Sequence, residues 1–209
     1  ALRCVSRANR TGMRLAPISL LKHQTIAQLA DLAADADEPL VEEQEVVTGP
    51  TPLTPAQLRF LVERKTPDVH HWNLSTIVQA DRLSPTALRS AMQALIRHHD
   101  ALRLRLWREG GRWRQEIAGL PAALPLESHD LSRLPPDEQA AEIERVCTEL
   151  QGSIDLGSGL LLRVAHFDRG PRASARLFIA VHHFAVDGMT WSVLMQDFEH
   201  LYRQAEAGV

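Results

Sequence analysis

Leu177-Phe-Ile-Ala-Val-His-His-Phe-Ala-Val-Asp-Gly-Met-Thr-Trp191 decides how this chain is read. The apolar run 177–181 has the length and branching of a buried strand, and a helical pattern begins near residue 190 and continues to about 207. Between them stand two adjacent histidines and, three apolar residues later, Asp187-Gly188. A strand that ends in a turn bearing an imidazole holds a group of near-neutral pKa at the edge of a rigid scaffold, as a general base requires. Side chains alternate faces along an extended strand, so His182 and His183 cannot both enter one pocket. One should face the chemistry while the other packs or hydrogen-bonds behind it. Asp187 is expected to lock the turn, either by an Asx-type bond to backbone or by pairing with an arginine. Gly188 is expected for its tolerance of positive φ, which lets another backbone or a narrow ligand approach. The positive end of the helix dipole is expected near the site. Zinc chelation by His182, His183 and Asp187 is disfavoured, because adjacent strand histidines diverge and the two cysteines, Cys4 and Cys147, are remote in sequence. No metal is expected.

The 209 residues suffice for one sizeable core plus an appendage. With 23 basic and 26 acidic side chains, the net charge of −3 gives no electrostatic reason to expect nucleic acid or an anionic membrane as partner. Two widely separated cysteines argue against a disulfide scaffold and fit a reducing cytoplasm. No apolar run approaches the length of a membrane span. The first ten residues lack the apolar core of a signal peptide, and the missing initiator Met suggests a piece of something longer.

From residue 54 the pattern alternates helix and strand. Thr54-Pro55 offers N-cap and N1 chemistry for a helix to about 64. Residues 71–80 read as strand. Ser84-Pro85 opens a helix over 86–98 with Leu88, Met92, Leu95 and Ile96 on one face. Residues 101–107 alternate, which predicts a strand with Arg103 and Arg105 on the face opposite Leu102, Leu104 and Leu106. Gly110-Gly111 turns the chain into a partner strand, 112–118, making a hairpin. Pro135-Pro136 introduces a helix over 137–150, and 160–167 and 175–182 are strands separated by a turn at Gly170-Pro171. The pattern predicts an α/β fold, a two-layer sandwich with a mixed sheet, preceded by a short helical N-terminal segment. In that segment 1–12 reads as a helix ending near Gly12, a loop holds Pro17, and Thr25 caps a helix over 26–33. Residues 37–52 are acidic and carry Pro39, Gly49, Pro50 and Pro52 without a period, the composition of a linker.

His182-His-Phe-Ala-Val-Asp-Gly188 resembles the HHxxxDG signature of the condensation and epimerization domains of nonribosomal peptide synthetases, within the chloramphenicol-acetyltransferase-like superfamily. Three further stretches resemble that family in its own order: Leu53-Thr-Pro-Ala-Gln-Leu-Arg-Phe-Leu61, His70-His-Trp-Asn-Leu-Ser75 and Arg97-His-His-Asp-Ala-Leu-Arg-Leu-Arg-Leu106. Upstream, Ser6-Arg-Ala-Asn-Arg-Thr-Gly-Met-Arg-Leu-Ala-Pro17 and His23-Gln-Thr-Ile-Ala-Gln-Leu-Ala30 resemble the second half of a peptidyl carrier domain. The resemblance implies three parts: 1–36 as the C-terminal part of a carrier domain, 37–52 as linker, and 53–209 as the N-terminal half of an epimerization or condensation domain. It implies no directly bound cofactor. Substrate would arrive on the 4′-phosphopantetheine of a carrier domain, whose attachment serine would fall before Ala1; Ser6 and Ser19 do not match it.

Three details look more like epimerization than condensation: Asp187-Gly-Met-Thr-Trp191, His98-His-Asp-Ala-Leu-Arg-Leu-Arg105 and His71-Trp-Asn73. Ala56-Gln57-Leu58-Arg59 looks more like the condensation form, and Phe60-Leu61 stands where Trp-Phe is usual. The resemblance therefore implies an L-to-D epimerase acting on a carrier-bound aminoacyl or peptidyl thioester. In that role His183 is the catalytic base, with His182, Asp187 and Gly188 supporting it. The alternatives are amide-bond formation by a condensation domain and a non-catalytic domain of the same fold that recruits partners. The expected partners are the carrier domain and the C-terminal half of the same domain, which would supply a second acid/base. Without that half the fragment is expected to be inactive.

Overall fold

The computed structural model describes residues 4, 5, 8, 11–13, 15–34, 45–63 and 68–208. The chain forms two compact units, Ala1–Gln44 and Glu45–Val209.

In the first unit, helices α1 (Pro17–Lys22) and α2 (Ile26–Ala34) follow a turn at Gly12. That turn is closed by the Met13 and Thr11 amides donating to the Ala8 carbonyl, with Gly12 at φ +88°. The remainder of the helix expected over 1–12 lies largely outside the described residues. Thr25 caps α2 as expected, its Oγ1 accepting from the Gln28 amide at 3.3 Å. The expected loop around Pro17 is instead α1. Proline at a first helical position carries a φ already suited to helix and forfeits only an amide that would have no helical partner.

The second unit begins earlier than expected. Residues 45–52, read as linker, join it: β1 (Gly49–Pro50) pairs antiparallel with Ile117 and Glu116, and the Val47 carbonyl accepts from Arg103. Prolines and glycines signal irregular chain, not the absence of partners. Then follow α3 (Pro55–Glu63), β2 (Asn73–Ala80), α4 (Pro85–His98), a 3₁₀ turn (Asp100–Arg103), β3 (Leu104–Glu109) and β4 (Arg112–Ile117). The chain continues through β5 (Leu126–Asp130), α5 (Pro136–Gly152), β6 (Leu162–Asp168), β7 (Ala175–His182) and α6 (Thr190–Ala207).

The main sheet has the order β2-β7-β6-β5 and is mixed, because β5 runs parallel to β6 while the other pairs are antiparallel. β7 is its centre and alternates between two cores. Leu177, Ile179 and Val181 pack with Leu88, Met92, Leu95 and Ile96 of α4 and Leu194 and Phe198 of α6. Phe178 and Ala180 pack with Val146, Cys147 and Leu150 of α5, Leu61 of α3 and Leu104 and Leu106 of β3. The α/β sandwich with a mixed sheet is thus present, and both faces of the sheet are covered. A central strand buried on both sides reads as the continuous apolar run from which its existence is inferred.

The hairpin β3–β4 forms as expected around Gly110 and Gly111, whose φ values of +55° and +76° suit the primed turns that match strand twist. It belongs to a separate sheet of order β1-β4-β3. Its first strand starts three residues late, because 100–103 is a 3₁₀ turn and Arg103 does not sit opposite the leucines. Arg103 is fully buried. Its guanidinium donates to the carbonyls of Ile96 (3.2 Å), Ala118 (2.7 Å) and Val47 (3.2 Å) and pairs with Asp100. A buried charge needs such a complete set of partners, and alternation in sequence cannot reveal them. β5 carries no apolar alternation and is not expected from the sequence; its pairing with β6 makes it a strand.

Candidate active site

The site grows from the end of β7. His182 is the last residue of the strand, opposite Asn73 of β2, and its ring is buried. Its Nε2 donates to the Val69 carbonyl at 2.9 Å, and its Nδ1 accepts from the Phe184 amide at 3.1 Å. These partners fix a neutral imidazole, since an amide N–H can only donate and a carbonyl can only accept. Burial pushes the His182 pKa down to about 4. His182 therefore supports the turn, as expected, and carries no proton to exchange near neutrality.

His183 takes the other face. Its amide donates to the Trp72 carbonyl at 2.7 Å, which binds the turn to the start of β2. Its half-buried ring lies 6.1 Å from the Trp72 ring, centroid to centroid. It lines a depression of about 410 Å³ together with Thr54, Gln57, Phe60, Trp72, Asp187 and Thr190. It also borders a second hollow of about 310 Å³ shared with His71, Asn73 and Gln151. Phe60 stands edge-on to both Trp72 (5.1 Å) and Phe184 (5.2 Å), making a rigid apolar wall for the first depression.

Asp187 locks the turn by the first of the two expected routes. Its Oδ1 accepts from the Met189 amide (2.9 Å), the Thr190 amide (2.8 Å) and the Thr190 hydroxyl (2.9 Å). Thr190 Oγ1 in turn accepts from the Asp187 amide at 2.7 Å. The bonds from the Thr190 amide and hydroxyl, and that from Met189, hold the carboxyl below its ordinary pKa. It is a weakly basic carboxylate engaged at the first turn of α6, so the positive end of that helix is spent on Asp187. Gly188 departs from its expected reason: its φ is not positive, and a Cβ there would meet no atom within 4 Å.

The structure brings His182, His183, Asp187 and Gly188 into one turn, as adjacency in sequence requires. It adds residues that the sequence reading did not nominate. Thr54 and Gln57 of α3, Phe60, and Trp72 face the same depression, although they lie more than a hundred residues upstream. The signal available was that two of the family-like stretches contain them. Elsewhere, His98, His99 and Asp197 place three ligand-type atoms within 4.8 Å of one another. There the His99 Nε2 and Asp197 Oδ2, 2.9 Å apart, hydrogen-bond and tie α4 to α6. Among the described residues no helix is long and apolar enough to cross a membrane.

Comparison with known proteins agrees with this geometry. The chain is 36% identical over 211 residues to the chondramide synthase cmdD of Chondromyces crocatus, covering 100% of this chain and 5% of that protein. It is 35% identical over 212 residues to surfactin synthase subunit 1 of Bacillus subtilis (strain 168), covering 99% of this chain and 6% of that one. Among solved structures, the epimerization domain from the third module of tyrocidine synthetase B superposes with a TM-score of 0.72 at 36% identity, over 80% of this chain and 37% of that chain. The starter condensation domain of rhizomide synthetase shares the fold, with a TM-score of 0.65 at 24% identity over 77% of this chain and 39% of that one. The chain thus spans only a small fraction of the length of the curated relatives it matches. Residues 47–209 match the family described as Condensation domain, and the chain belongs to that family, the condensation and epimerization domains of nonribosomal peptide synthetases.

Proposed function

We propose that this chain is the His183-bearing half of an epimerization domain, inverting the α-carbon of an aminoacyl or peptidyl thioester held on a carrier domain. The division of labour between two adjacent histidines carries this reading. His182 is neutral, buried and bonded through both ring nitrogens, whereas His183 opens onto a depression walled by aromatic rings. Asp187, already accepting three hydrogen bonds, is a poor base. His183 would take the α-proton of the thioester, the Cα–H electron pair passing into the carbonyl to give an enolate. A second general acid on the opposite face would then re-form the Cα–H bond. The resemblance implies that a carboxylic acid from the domain's other half fills this role. Residues 1–36, read as the C-terminal part of a carrier domain, would belong to the delivery of substrate on phosphopantetheine. The 36% identity to the tyrocidine epimerization domain and the sequence Asp187-Gly-Met-Thr-Trp191 favour epimerization. Amide formation is the second reading, favoured by Ala56-Gln57-Leu58-Arg59 and by the fold shared with the rhizomide condensation domain.

The test uses the full-length protein that carries residues 1–209, loaded with an L-aminoacyl thioester in deuterium oxide. The α-proton is expected to exchange, and His183→Ala to slow exchange by about 10²- to 10⁴-fold, the usual worth of a positioned general base. No exchange by the unmutated protein, or undiminished exchange by His183→Ala, overturns the reading.

A further inference from the structure

Removing an α-proton leaves charge on the thioester carbonyl oxygen, and that oxygen needs a hydrogen-bond donor as much as the proton needs a base. His182 is committed to Val69 and Phe184, and the first-turn amides of α6 are committed to Asp187. Across the depression from that turn stands the start of α3. Thr54 and Gln57 form a reciprocal capping box: the Gln57 amide donates to Thr54 Oγ1 at 3.2 Å and the Thr54 amide donates to Gln57 Oε1 at 2.9 Å. The second bond fixes which end of the carboxamide is which, because a backbone amide can bond only to the oxygen. Nε2 therefore points away from Thr54 and has no hydrogen-bond partner among the described residues. Gln57 is 8% exposed and lines the depression that His183 lines. A held, neutral amide donor with no protein acceptor, sharing a concavity with the candidate base, is what a developing oxyanion requires. Neutrality matters too, since an amide neither takes the proton nor repels the protonated His183.

Building on the function proposed above, we propose that the Gln57 carboxamide Nε2 donates a hydrogen bond to the carbonyl oxygen of the bound thioester. It stabilises the charge formed there as His183 removes the α-proton. The carbonyl oxygen gains the bond and Gln57 loses nothing, so no other reactant is involved.

Gln57→Glu separates this role from a structural one. A glutamate keeps the acceptor for the Thr54 amide, so the capping box and the melting temperature should hold, while both Nε2–H donors are gone. In the full-length protein, α-proton exchange compared on the plateau of the pH profile should lose about 10²-fold in kcat, the typical cost of one oxyanion donor, with KM within about twofold. Gln57→Met, which loses the cap as well, should lower the melting temperature and lose a similar factor in kcat. Either variant, folded, with kcat within about threefold of the unmutated protein overturns the proposal. If the unmutated protein forms amides and exchanges no α-proton, the isomerase reading falls alone. The same carbonyl oxygen then becomes anionic in the tetrahedral adduct, and the Gln57→Glu loss in amide formation decides the matter in the same way.

Discussion

The His182 Nε2 donates to the carbonyl of Val69, a hydrogen bond of 2.9 Å that spans 113 residues of sequence and pins the end of β7 to the chain entering β2. His183, one residue on, is tied by its amide to Trp72 and leaves its ring facing a depression. One imidazole holds the loop and the next uses what the loop provides. Consequences for stability follow from each of the contacts that keep this turn in place.

Burial holds His182 neutral with a pKa near 4, below the roughly 6.5 of an unfolded histidine. A folded-state pKa below the unfolded one means that the unfolded chain binds the extra proton first. Stability is then complete above about pH 6.5 and is lost as pH falls towards 4, by up to about 3 kcal/mol. His99 and His166, also lowered by burial, act with the same sign. Urea melts at pH 7, 6 and 5 should show a falling midpoint, and His182→Gln should flatten that dependence.

Asp187→Ala removes the acceptor of three hydrogen bonds at the start of α6 and should cost about 1 kcal/mol, as loss of a helix cap does. Asp187→Asn keeps an acceptor oxygen and should recover most of that. Denaturant unfolding of both variants measures the difference, and equal losses would show that charge, not acceptance, matters.

Gly188→Ala should change stability by less than about 0.5 kcal/mol, because the backbone there is in a region open to any residue and the added methyl meets nothing. Gly111→Ala, at φ +76° in the hairpin turn, should cost about 1 kcal/mol by comparison. An activity lost in Gly188→Ala without a shift in melting would place the methyl against substrate or a partner surface.

Arg103→Lys keeps the charge but cannot reach the carbonyls of Val47, Ile96 and Ala118 together. A loss of about 3 kcal/mol is expected, since a buried cation stripped of partners is among the costliest changes. Limited proteolysis should then cut within 45–52, the stretch that Arg103 holds against the domain.

The sequence could be read where its chemistry is local. Thr54, Ser84 and Thr25 cap the helices they precede through bonds three residues long, and Gly110-Gly111 makes its hairpin without help from elsewhere. The turn from His182 to Thr190 is local too: an Asx bond, a strand end and a helix start, all within nine residues. Reading failed at β5, whose five residues carry no apolar period, and at Arg103, which alternation assigned to the wrong surroundings. It also failed at 45–52, where composition spoke for a linker and pairing with β4 decided otherwise.

For the site, the sequence by itself determined that two histidines would part company and that Asp187 would brace the turn, since strand alternation and Asx geometry act between neighbours in the chain. Only the tertiary structure decided which histidine is buried, because that depends on Val69 arriving from 113 residues away. Only it put Gln57, Phe60 and Trp72 around His183. Those meetings depend on strand register and on both faces of one sheet being covered, which no short window of sequence contains.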